Sequence, residues 1–551
     1  MTEGFGWIDK DRKVADRDMA RAYGHAKREK AQGGITDKPT RFIDEHSSAS
    51  SAFSADRSVT ETIQVEGKSC TVRKLGNHVG GRIVFAKTGQ GVILDRDPAT
   101  DEIVATVPRS GKADIDAAVE AARRAQPAWA ATPLAERCAI LAKAADLIES
   151  RLMDLARLES IDTGKPIGLS SSLDVPRAVS NFRFFAKFAA AEETERHAMD
   201  GHDNYTVRAP VGVVGLVTPW NLPIYLLSWK TAPALAMGNA VVAKPSELTP
   251  LTADALAWIL KEAGLPDGVF NLVHGYGGEA GQALVEHPGV RAISFTGGTL
   301  SGRKVAAAAA PHLKKVSLEL GGKNPTIVFA DCDVEATIDG VVRSSFLNTG
   351  QICLCGSRIL VEKGFEAEFT RRLVERARGM RIGDPLDPAT ELGALITPEH
   401  RAKVESYFDV ARSEGGRILA GGNRPALAGK NAAGAYLEPT VITGLGQSSR
   451  CVQEEIFGPV VTIQPFADEA EAVALANGVK YGLAASVWSR DVAKAQRVAE
   501  ALESGMAWVN CWLVRDLRVP FGGVKESGVG REGGGHSLDF FSEPRNICVK
   551  R

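Results

Sequence analysis

The alternation of strand and helix patterns across residues 212–322 restricts the fold more than any other feature of the sequence. Segments 213–217 and 240–243 are continuous apolar runs, which are typical of parallel strands covered on both faces. Helical patterns over 229–237 and 252–263 separate and follow these runs. The stretch therefore predicts a doubly wound α/β nucleotide-binding domain.

The chain is long enough for more than one such domain. Its 551 residues, 44% of them hydrophobic and 24% charged, allow two or three domains with separate cores. We assign 74–190 and 212–322 to the nucleotide-binding domain and 323–522 to a second α/β domain. Residues 1–73 are charged at first and then Ser/Ala-rich. They predict an N-terminal extension, either poorly ordered or surface-packed, or used in assembly or partner binding.

The charge balance points to small-molecule chemistry. The formal net charge is -1 and no long basic run occurs, which argues against nucleic acid and membrane surfaces as partners. No apolar run reaches the roughly 20 residues that a membrane helix needs. The eight cysteines are scattered without zinc spacing, so we expect no metal and a reducing compartment. The N-terminus lacks the apolar centre of a secretory signal, and we predict a cytoplasmic location.

Three motifs supply candidates for nucleophilic catalysis. Cys353, in segment 347–355, is the candidate nucleophile. Glu319 lies in an apolar run that ends in a glycine pair, and it is the candidate base. Asn221 stands between two prolines that stiffen the backbone, and its neutral amide is the candidate donor to an oxyanion.

In this order and with these flanking residues, the three motifs resemble the NAD(P)-dependent aldehyde dehydrogenase superfamily, from about residue 74 to the C-terminus. The resemblance implies an α/β fold with a doubly wound nucleotide-binding domain, an α/β catalytic domain over 323–522 and a small β element for oligomerisation. That element is expected in 191–211 and 535–551, because the C-terminal strand of this superfamily joins a neighbouring subunit's sheet. A homodimer or homotetramer follows, since an exposed edge strand would be a liability in a monomer.

The resemblance also implies a mechanism. The Cys353 thiolate would add to an aldehyde, and the resulting alkoxide would expel hydride and leave a thioester. The Asn221 side chain and the Cys353 backbone N–H would stabilise the oxyanion. Glu319 would then deprotonate the water that cleaves the thioester, a task suited to a partly buried carboxylate with a raised pKa.

The expected cofactor is NAD. Segment 244–247 follows the second apolar run, and a carboxylate there accepts ribose hydroxyls but repels a 2'-phosphate. Segment 294–302 is a strand, a glycine pair and a helix start, which suits a pyrophosphate. The residues that the motifs and the resemblance assign to the cofactor are Trp220, Lys244, Ser246, Glu247, Gly277, Phe295, Gly297, Gly298, Glu455 and Phe457.

Segment 508–523 indicates the substrate. Its run Asn-Cys-Trp-Leu-Val-Arg-Asp-Leu-Arg resembles the branch that oxidises 2-aminomuconic and 2-hydroxymuconic semialdehydes. These substrates carry a carboxylate, for which a guanidinium is the matching recogniser. Arg515 matches the branch's substrate-binding arginine, Arg177 is a second candidate, and Phe521 is expected to line the pocket. Either arginine is alternatively structural.

Three other functions remain open. A general aldehyde dehydrogenase for aliphatic, betaine-type or aromatic aldehydes shares all the catalytic residues. A non-catalytic protein of this fold would be signalled by loss of Cys353 or Glu319, and both are present. An acylating, coenzyme-A-dependent enzyme commonly lacks the glutamate. The sequence therefore favours NAD-dependent oxidation of a carboxylate-bearing semialdehyde.

Overall fold

The computed structural model of the protein describes residues 59–65, 68–87, 90–192 and 194–551. The predicted extension lies outside these residues up to position 58. The described part of the extension forms a hairpin of two antiparallel strands. Through Arg73 and Lys74, the second of these strands pairs in parallel with the strand that contains Ala105 and Thr106. The strands before residue 212 are β1 (Thr60–Val65), β2 (Lys68–Lys74), β3 (Asn77–Val79), β4 (Arg82–Val84), β5 (Val92–Arg96), β6 (Ile103–Pro108), β7 (Arg196–Met199) and β8 (His202–Pro210).

Helices fill the interval between β6 and β7. The third of them stops at Gly164, whose φ of 72° is the left-handed conformation that glycine adopts readily. A π-helical turn, Ser170–Asp174, leads directly into the last of them. The α-helices are α1 (Lys112–Ala131), α2 (Leu134–Ser150), α3 (Leu152–Thr163), α4 (Ile167–Leu169) and α5 (Val175–Ala190).

The next segment forms the predicted doubly wound unit. Its strands are β9 (Val213–Val217), β10 (Ala240–Lys244), β11 (Phe270–Leu272), β12 (Ala292–Thr296) and β13 (Lys315–Glu319). Its helices are α6 (Pro223–Ala236), α7 (Leu251–Ala263), α8 (Gln282–Glu286) and α9 (Thr299–Ala309), with a π-helical turn at Gly277–Gly281 and a 3-10 turn at Ala310–His312.

These five strands are parallel and lie in the order β13-β12-β9-β10-β11. The winding direction reverses between β9 and β12, and ligands of such sheets bind at the carboxyl ends beside this point. Every residue of β9 and β10 is buried, in agreement with their continuous apolar sequences. The loop after β9 carries Asn221, and the loop after β12 carries Gly297 and Gly298.

The rest of the chain forms the second α/β unit and the C-terminal segment. Its strands are β14 (Pro325–Val328), β15 (Arg358–Glu362), β16 (Arg417–Ala420), β17 (Thr440–Thr443), β18 (Val460–Phe466), β19 (Tyr481–Gly482), β20 (Ala484–Trp488), β21 (Met506–Val509), β22 (Val524–Lys525), β23 (Gly528–Val529) and β24 (Ser542–Lys550). Its α-helices are α10 (Val334–Phe346), α11 (Glu366–Arg378), α12 (Pro398–Ser413), α13 (Arg450–Gln453), α14 (Glu469–Asn477), α15 (Val492–Glu500) and α16 (Gly534–Phe540). Two 3-10 turns complete it, at Leu347–Gly350 and Gly429–Ala433.

The second sheet has the order β16-β17-β18-β15-β14-β20-β21, and only its edge strand β16 runs antiparallel. After it the chain returns to the first sheet, where β23 pairs with β13 and sets Gly528 opposite Glu319. The two units are therefore joined beside the candidate base. The predicted α/β fold class with two such sheets is confirmed.

A separate three-stranded sheet combines β24, β8 and β7. Its register sets Ser542 opposite Pro210 and Lys550 opposite His202. The strand is shorter than the predicted segment 535–551, because α16 occupies Gly534–Phe540 and buries Leu538. No helix within the described residues has the length and apolarity to span a membrane.

Candidate active site

A strained turn precedes the candidate nucleophile. After α10, Asn348 and Thr349 have φ values of 52° and 54°, a conformation uncommon for residues with a side chain, and Gly350 follows at 71°. A Cβ on Gly350 would lie 2.1 Å from the carbonyl oxygen of Gly458, so only glycine fits. The Thr349 hydroxyl donates to the carbonyl of Gly393 at 3.2 Å. The turn that leads to Cys353 is thus fixed by tertiary contacts.

The backbone of the nucleophile segment is held by Asn324. Its amide nitrogen donates to the carbonyls of Cys353 and Cys355, at 2.7 and 2.9 Å. Its amide oxygen accepts from the Ala484 N–H at 3.0 Å. Asn324 was not predicted to be a site residue. Its position five residues after Glu319, in the same motif, could have indicated it.

Cys353 is half-buried and packs against an apolar cluster that includes Ile352, Leu354 and Phe521. Burial raises the pKa of the Cys353 thiol, and the negative charges of Glu455 and Glu319 raise it further. The resting group is therefore a neutral thiol, and it becomes a nucleophile only when its proton is removed.

The Asn221 side chain contacts the nucleophile loop. Its amide nitrogen donates to the carbonyl of Gln351 at 2.9 Å, two residues before Cys353. The Asn221 backbone carbonyl accepts from Lys165 Nζ at 2.9 Å and from the Asn348 side chain at 3.1 Å. The structure thus brings together the predicted oxyanion donor and the segment of the predicted nucleophile.

Glu319 ends β13 and is 4% exposed. Neither of its carboxylate oxygens has a hydrogen-bond partner among the described residues. Burial raises its pKa well above the ordinary value, and the charge of Glu532 raises it further. A Cβ on Gly522 would lie 2.8 Å from Glu319 Oε1, so this glycine leaves the space around the carboxylate open. A carboxylate with a raised pKa is a stronger base than an ordinary one.

The residues predicted to hold the adenosine part of a cofactor meet at the carboxyl ends of β10 and β12. Lys244 Nζ lies 2.9 Å from a Glu247 carboxylate oxygen, and Glu247 remains 26% exposed. The Ser246 hydroxyl accepts from the backbone N–H of Leu248 at 3.2 Å. The Glu247 carboxylate is thus paired with Lys244 after the carboxyl end of β10 and remains partly accessible.

Glycines open the surface next to this pair. A Cβ added at Gly277 or Gly298 would meet nothing within 4 Å. Gly298 caps α9, so the free N–H groups of that helix are accessible to an anion. The Gly297 N–H donates to the Glu319 carbonyl at 3.0 Å, and the ring of Phe295 lies close beneath Gly297. This arrangement suits a dinucleotide pyrophosphate.

A second group of predicted cofactor residues lies nearer Cys353. Glu455 Oε1 accepts from the Gly322 N–H at 2.9 Å. The rings of Trp220 and Phe457 meet edge to face with centroids 5.3 Å apart, and Phe457 has a φ of 60°. These contacts hold the Glu455 carboxylate beside the glycine pair of the Glu319 motif and the Phe457 ring against Trp220.

Two residues of α12 also reach this region and were not predicted. His400 Nε2 donates to the Phe457 carbonyl at 2.7 Å, and its ring centroid lies 5.4 Å from that of Trp220. The positive charge of Lys403 faces Glu455. Their segment carries no recognised motif. The sequence indicates only that His400 and Lys403 are three positions apart and would share one face of a helix.

The predicted substrate residues converge on Tyr225. The Arg515 guanidinium carbon lies 4.1 Å from the Trp229 ring centroid and 3.9 Å from that of Phe521. Arg515 Nη1 donates to the Tyr225 hydroxyl at 3.0 Å. The Arg177 guanidinium lies 5.6 Å from the centroid of the same tyrosine ring. Tyr225 was not predicted, although it stands four residues after Asn221.

Behind these groups, Glu532 organises a buried polar network. It accepts from Trp229 Nε1 and Lys230 Nζ, both at 2.7 Å, and from the Ser294 hydroxyl at 3.0 Å. Burial would raise the pKa of Glu532, but Lys230 and these hydrogen bonds hold it below its ordinary value. The ionised carboxylate thereby fixes Trp229 under Arg515. No local sequence signal marks this contact.

A half-buried thiol, a buried carboxyl group, an amide that contacts the nucleophile loop and accessible glycines at the carboxyl ends of the strands are the groups that an enzyme needs to oxidise an aldehyde with a dinucleotide. The model of the aldehyde dehydrogenase family matches residues 85–547. The chain belongs to this family and is an oxidoreductase acting on aldehydes, as the sequence predicted.

Named relatives refine this result. A 2-aminomuconic semialdehyde dehydrogenase of Danio rerio is 50% identical over 480 residues, which cover 86% of this chain and 98% of the relative. A 2-hydroxymuconic semialdehyde dehydrogenase of Pseudomonas sp. strain CF600 is 47% identical over 486 residues, or 87% and 100% of the two chains. The crystal structure of betaine aldehyde dehydrogenase from Staphylococcus aureus in complex with NAD+ is 39% identical, with a TM-score of 0.83 and coverage of 86% and 94%. The predicted resemblance to the muconic semialdehyde branch is confirmed.

Proposed function

We propose that the protein oxidises a carboxylate-bearing semialdehyde, such as 2-aminomuconic or 2-hydroxymuconic semialdehyde, to the corresponding acid with NAD. The Arg515 guanidinium carries this proposal. Its Nε and Nη2 are buried and have no hydrogen-bond partner among the described residues. A buried cation is costly unless it is paired. A substrate carboxylate would accept from these two nitrogens, next to the apolar cluster that contains Tyr225, Phe521 and Cys353.

The residues at the sheet edge fit NAD. Glu247 offers a partly exposed carboxylate for ribose hydroxyls, and the accessible start of α9 offers N–H groups for a pyrophosphate. A 2'-phosphate would meet the Glu247 charge, which favours NAD over NADP. When bound, NAD supplies an acceptor for hydride. Glu455 and Phe457 are proposed to hold its nicotinamide end.

Cys353 is proposed as the nucleophile. Its thiol gives its proton to solvent water, and its sulfur forms a bond to the aldehyde carbon while the carbonyl π electrons move to the oxygen, which becomes negatively charged. The Asn221 amide is within reach of this segment and is proposed to donate to that oxygen. Such a donor stabilises the transition state by about 2.7–4 kcal/mol. Departure of hydride leaves a thioester on Cys353.

Glu319 is proposed as the base that completes the reaction. Its carboxylate takes a proton from water, the hydroxide oxygen bonds to the thioester carbon, and the carbon–sulfur bond breaks. The cysteine sulfur leaves with the bonding electron pair, and the product is a carboxylic acid. The raised pKa of Glu319 supports this role, because a stronger base removes the proton more readily.

We further propose a cytoplasmic homo-oligomer. The sheet of β24, β8 and β7 has a largely exposed outer strand, and such an edge is suited to another copy of the chain. Exposed Met199 and Val549 add apolar surface to it. All eight cysteines are free, which is typical of a reducing compartment.

The test is NADH formation by the wild-type enzyme. The value of kcat/KM for 2-hydroxymuconic semialdehyde is compared with that for an uncharged aldehyde of similar length. The proposal predicts a preference of at least about tenfold for the acid, equivalent to about 1.4 kcal/mol. Equal values would retain the dehydrogenase and overturn the substrate assignment in favour of an aliphatic, betaine-type or aromatic aldehyde.

A further inference from the structure

We infer that Tyr225 sets the substrate preference by fixing the Arg515 guanidinium so that its Nε–Nη2 edge receives the substrate carboxylate. The inference rests on the proposed function, because it concerns how the same pocket recognises the acid. Tyr225 belongs neither to the nucleophile and base nor to the cofactor groups. It acts through Arg515 and is a positioning residue.

The plane of the guanidinium is fixed first by two aromatic rings. The Arg515 guanidinium carbon lies 4.1 Å from the Trp229 ring centroid and 3.9 Å from the Phe521 ring centroid. Trp229 is itself immobilised, since its Nε1 donates to Glu532 at 2.7 Å. Stacking restrains tilting of the guanidinium but does not fix its position within the plane between the two rings.

The Tyr225 hydroxyl removes this remaining freedom. It accepts from Arg515 Nη1 at 3.0 Å. A guanidinium offers its hydrogen-bond donors along edges, and two adjacent donors match the two oxygens of a carboxylate. Because Tyr225 engages Nη1, the edge with both nitrogens free is Nε–Nη2. Those are the two buried nitrogens that lack a partner among the described residues.

Tyr225 is well anchored for this task. It is 4% exposed and lies in the first turn of α6. Its backbone carbonyl accepts from the Asn181 side chain at 3.2 Å. The Arg177 guanidinium lies 5.6 Å from its ring centroid. One tyrosine therefore contacts both arginines that are predicted to bind the substrate.

The test is Tyr225→Phe, which keeps the ring and removes the hydroxyl. Without its acceptor, Nη1 competes for the substrate carboxylate and the guanidinium can shift within the plane between the two rings. We expect kcat/KM for 2-hydroxymuconic semialdehyde to fall about tenfold, as for loss of one hydrogen bond to a charged group, mainly through a higher KM. Values for an uncharged aldehyde of similar length should stay within about twofold of wild type.

Two further variants separate positioning from stability. Tyr436→Phe is the matched control, because its hydroxyl is also buried and accepts from Asn431 at 2.8 Å. This variant should leave the ratio of the two kcat/KM values unchanged. Adding Arg515→Ala to Tyr225→Phe should cost no more than Arg515→Ala alone, because Tyr225 acts through Arg515. The inhibition constant of a six-carbon dicarboxylate should rise in Tyr225→Phe and in Arg515→Ala.

The outcomes are distinct. A lower preference for the acid in both Arg515→Ala and Tyr225→Phe supports the inference. A lower preference in Arg515→Ala with an unchanged one in Tyr225→Phe overturns the role of Tyr225 but retains the proposed function. No change in Arg515→Ala overturns the carboxylate assignment itself. A parallel loss on both substrates in Tyr225→Phe would show that the hydroxyl is only structural.

Discussion

The Asn221 side-chain amide donates to the backbone carbonyl of Gln351 across 2.9 Å, although the two residues are 130 positions apart in sequence. The contact connects the end of β9 in the first sheet with the loop that carries Cys353. The amide that is proposed to stabilise the oxyanion is thus anchored to the nucleophile's own loop.

Asn221→Ala should therefore lower kcat by about 100- to 1,000-fold, the usual effect of losing one oxyanion donor. The measurement is steady-state NADH formation with saturating aldehyde. Asn431→Ala, which removes another buried amide remote from Cys353, is the control. An unchanged kcat in Asn221→Ala would mean that another group stabilises the oxyanion.

The reactivity of Cys353 should report its raised pKa. Burial and the neighbouring carboxylates hold this pKa above the ordinary thiol value of 9.0. We expect the alkylation rate of Cys353 by iodoacetamide, followed by mass spectrometry, to be still rising at pH 9. Cys353→Ala should abolish NADH formation and retain NAD binding. A plateau in the alkylation rate below pH 8 would contradict the neutral resting thiol.

Glu319 should make the protein less stable as pH rises. In the unfolded chain the carboxyl ionises near 4.5, whereas in the folded protein it keeps its proton to a higher pH. Between these two values each pH unit costs the folded state about 1.4 kcal/mol. Glu319→Gln removes this cost, so its Tm should exceed that of the wild type by more at pH 8 than at pH 5.

The same substitution should reduce turnover, because thioester cleavage loses its base. Removal of a general base typically lowers the rate by about 100- to 10,000-fold. Glu438→Gln changes an incompletely buried carboxylate elsewhere and serves as the control for both measurements. An equal Tm for Glu319→Gln and wild type at both pH values would contradict the raised pKa.

Glu247 should decide between the two nicotinamide cofactors. Glu247→Ala removes the carboxylate that is proposed to face the ribose and releases Lys244 from its ion pair for a 2'-phosphate. Since like charges in contact cost several kcal/mol, kcat/KM for NADP should increase by about 10- to 100-fold while that for NAD falls. If kcat/KM changed by the same factor for NAD and NADP, Glu247 would not distinguish a ribose hydroxyl from a 2'-phosphate.

Lys165 should be important for stability. It is fully buried, with Nζ 2.7 Å from an Asp174 oxygen and 3.6 Å from a Glu159 oxygen. Lys165→Met leaves both carboxyl groups buried without a counter-charge. The free energy of unfolding should fall by about 3–5 kcal/mol in urea denaturation. Adding Asp174→Asn should recover part of the loss, and a further decrease in the double variant would contradict this explanation.

Sequence predicted the parts of the site that depend on local pattern. The buried strands β9 and β10 are continuous apolar runs, and the structure places the Asn221 loop at the end of β9. The hairpin of β1 and β2 was not anticipated, because its residues lie outside the family resemblance. Its structure depends on pairing with β6, a contact that the local sequence does not encode.

Other features could not be predicted, since they arise from contacts between distant segments. Arg515 and Tyr225 are 290 positions apart, and only the folded chain reveals their hydrogen bond. The same holds for Asn324 and Ala484, which are separated by 160 positions. Sequence motifs identify the residues that react. The residues that orient them, such as Tyr225 and Asn324, are identified only by their contacts in the folded chain.

The contact between Lys230 and Glu532 has a consequence for biosynthesis. Lys230 is made 302 residues before the carboxylate that neutralises it. At the usual 5–20 residues per second, a ribosome needs roughly 15–60 s for this interval. During that time Lys230 has no counter-ion from Glu532, and Trp229 lacks its acceptor. The nascent chain therefore cannot form the contacts of Trp229 and Lys230 with Glu532 until translation is almost finished. The growing polypeptide remains without a complete active site for most of its synthesis.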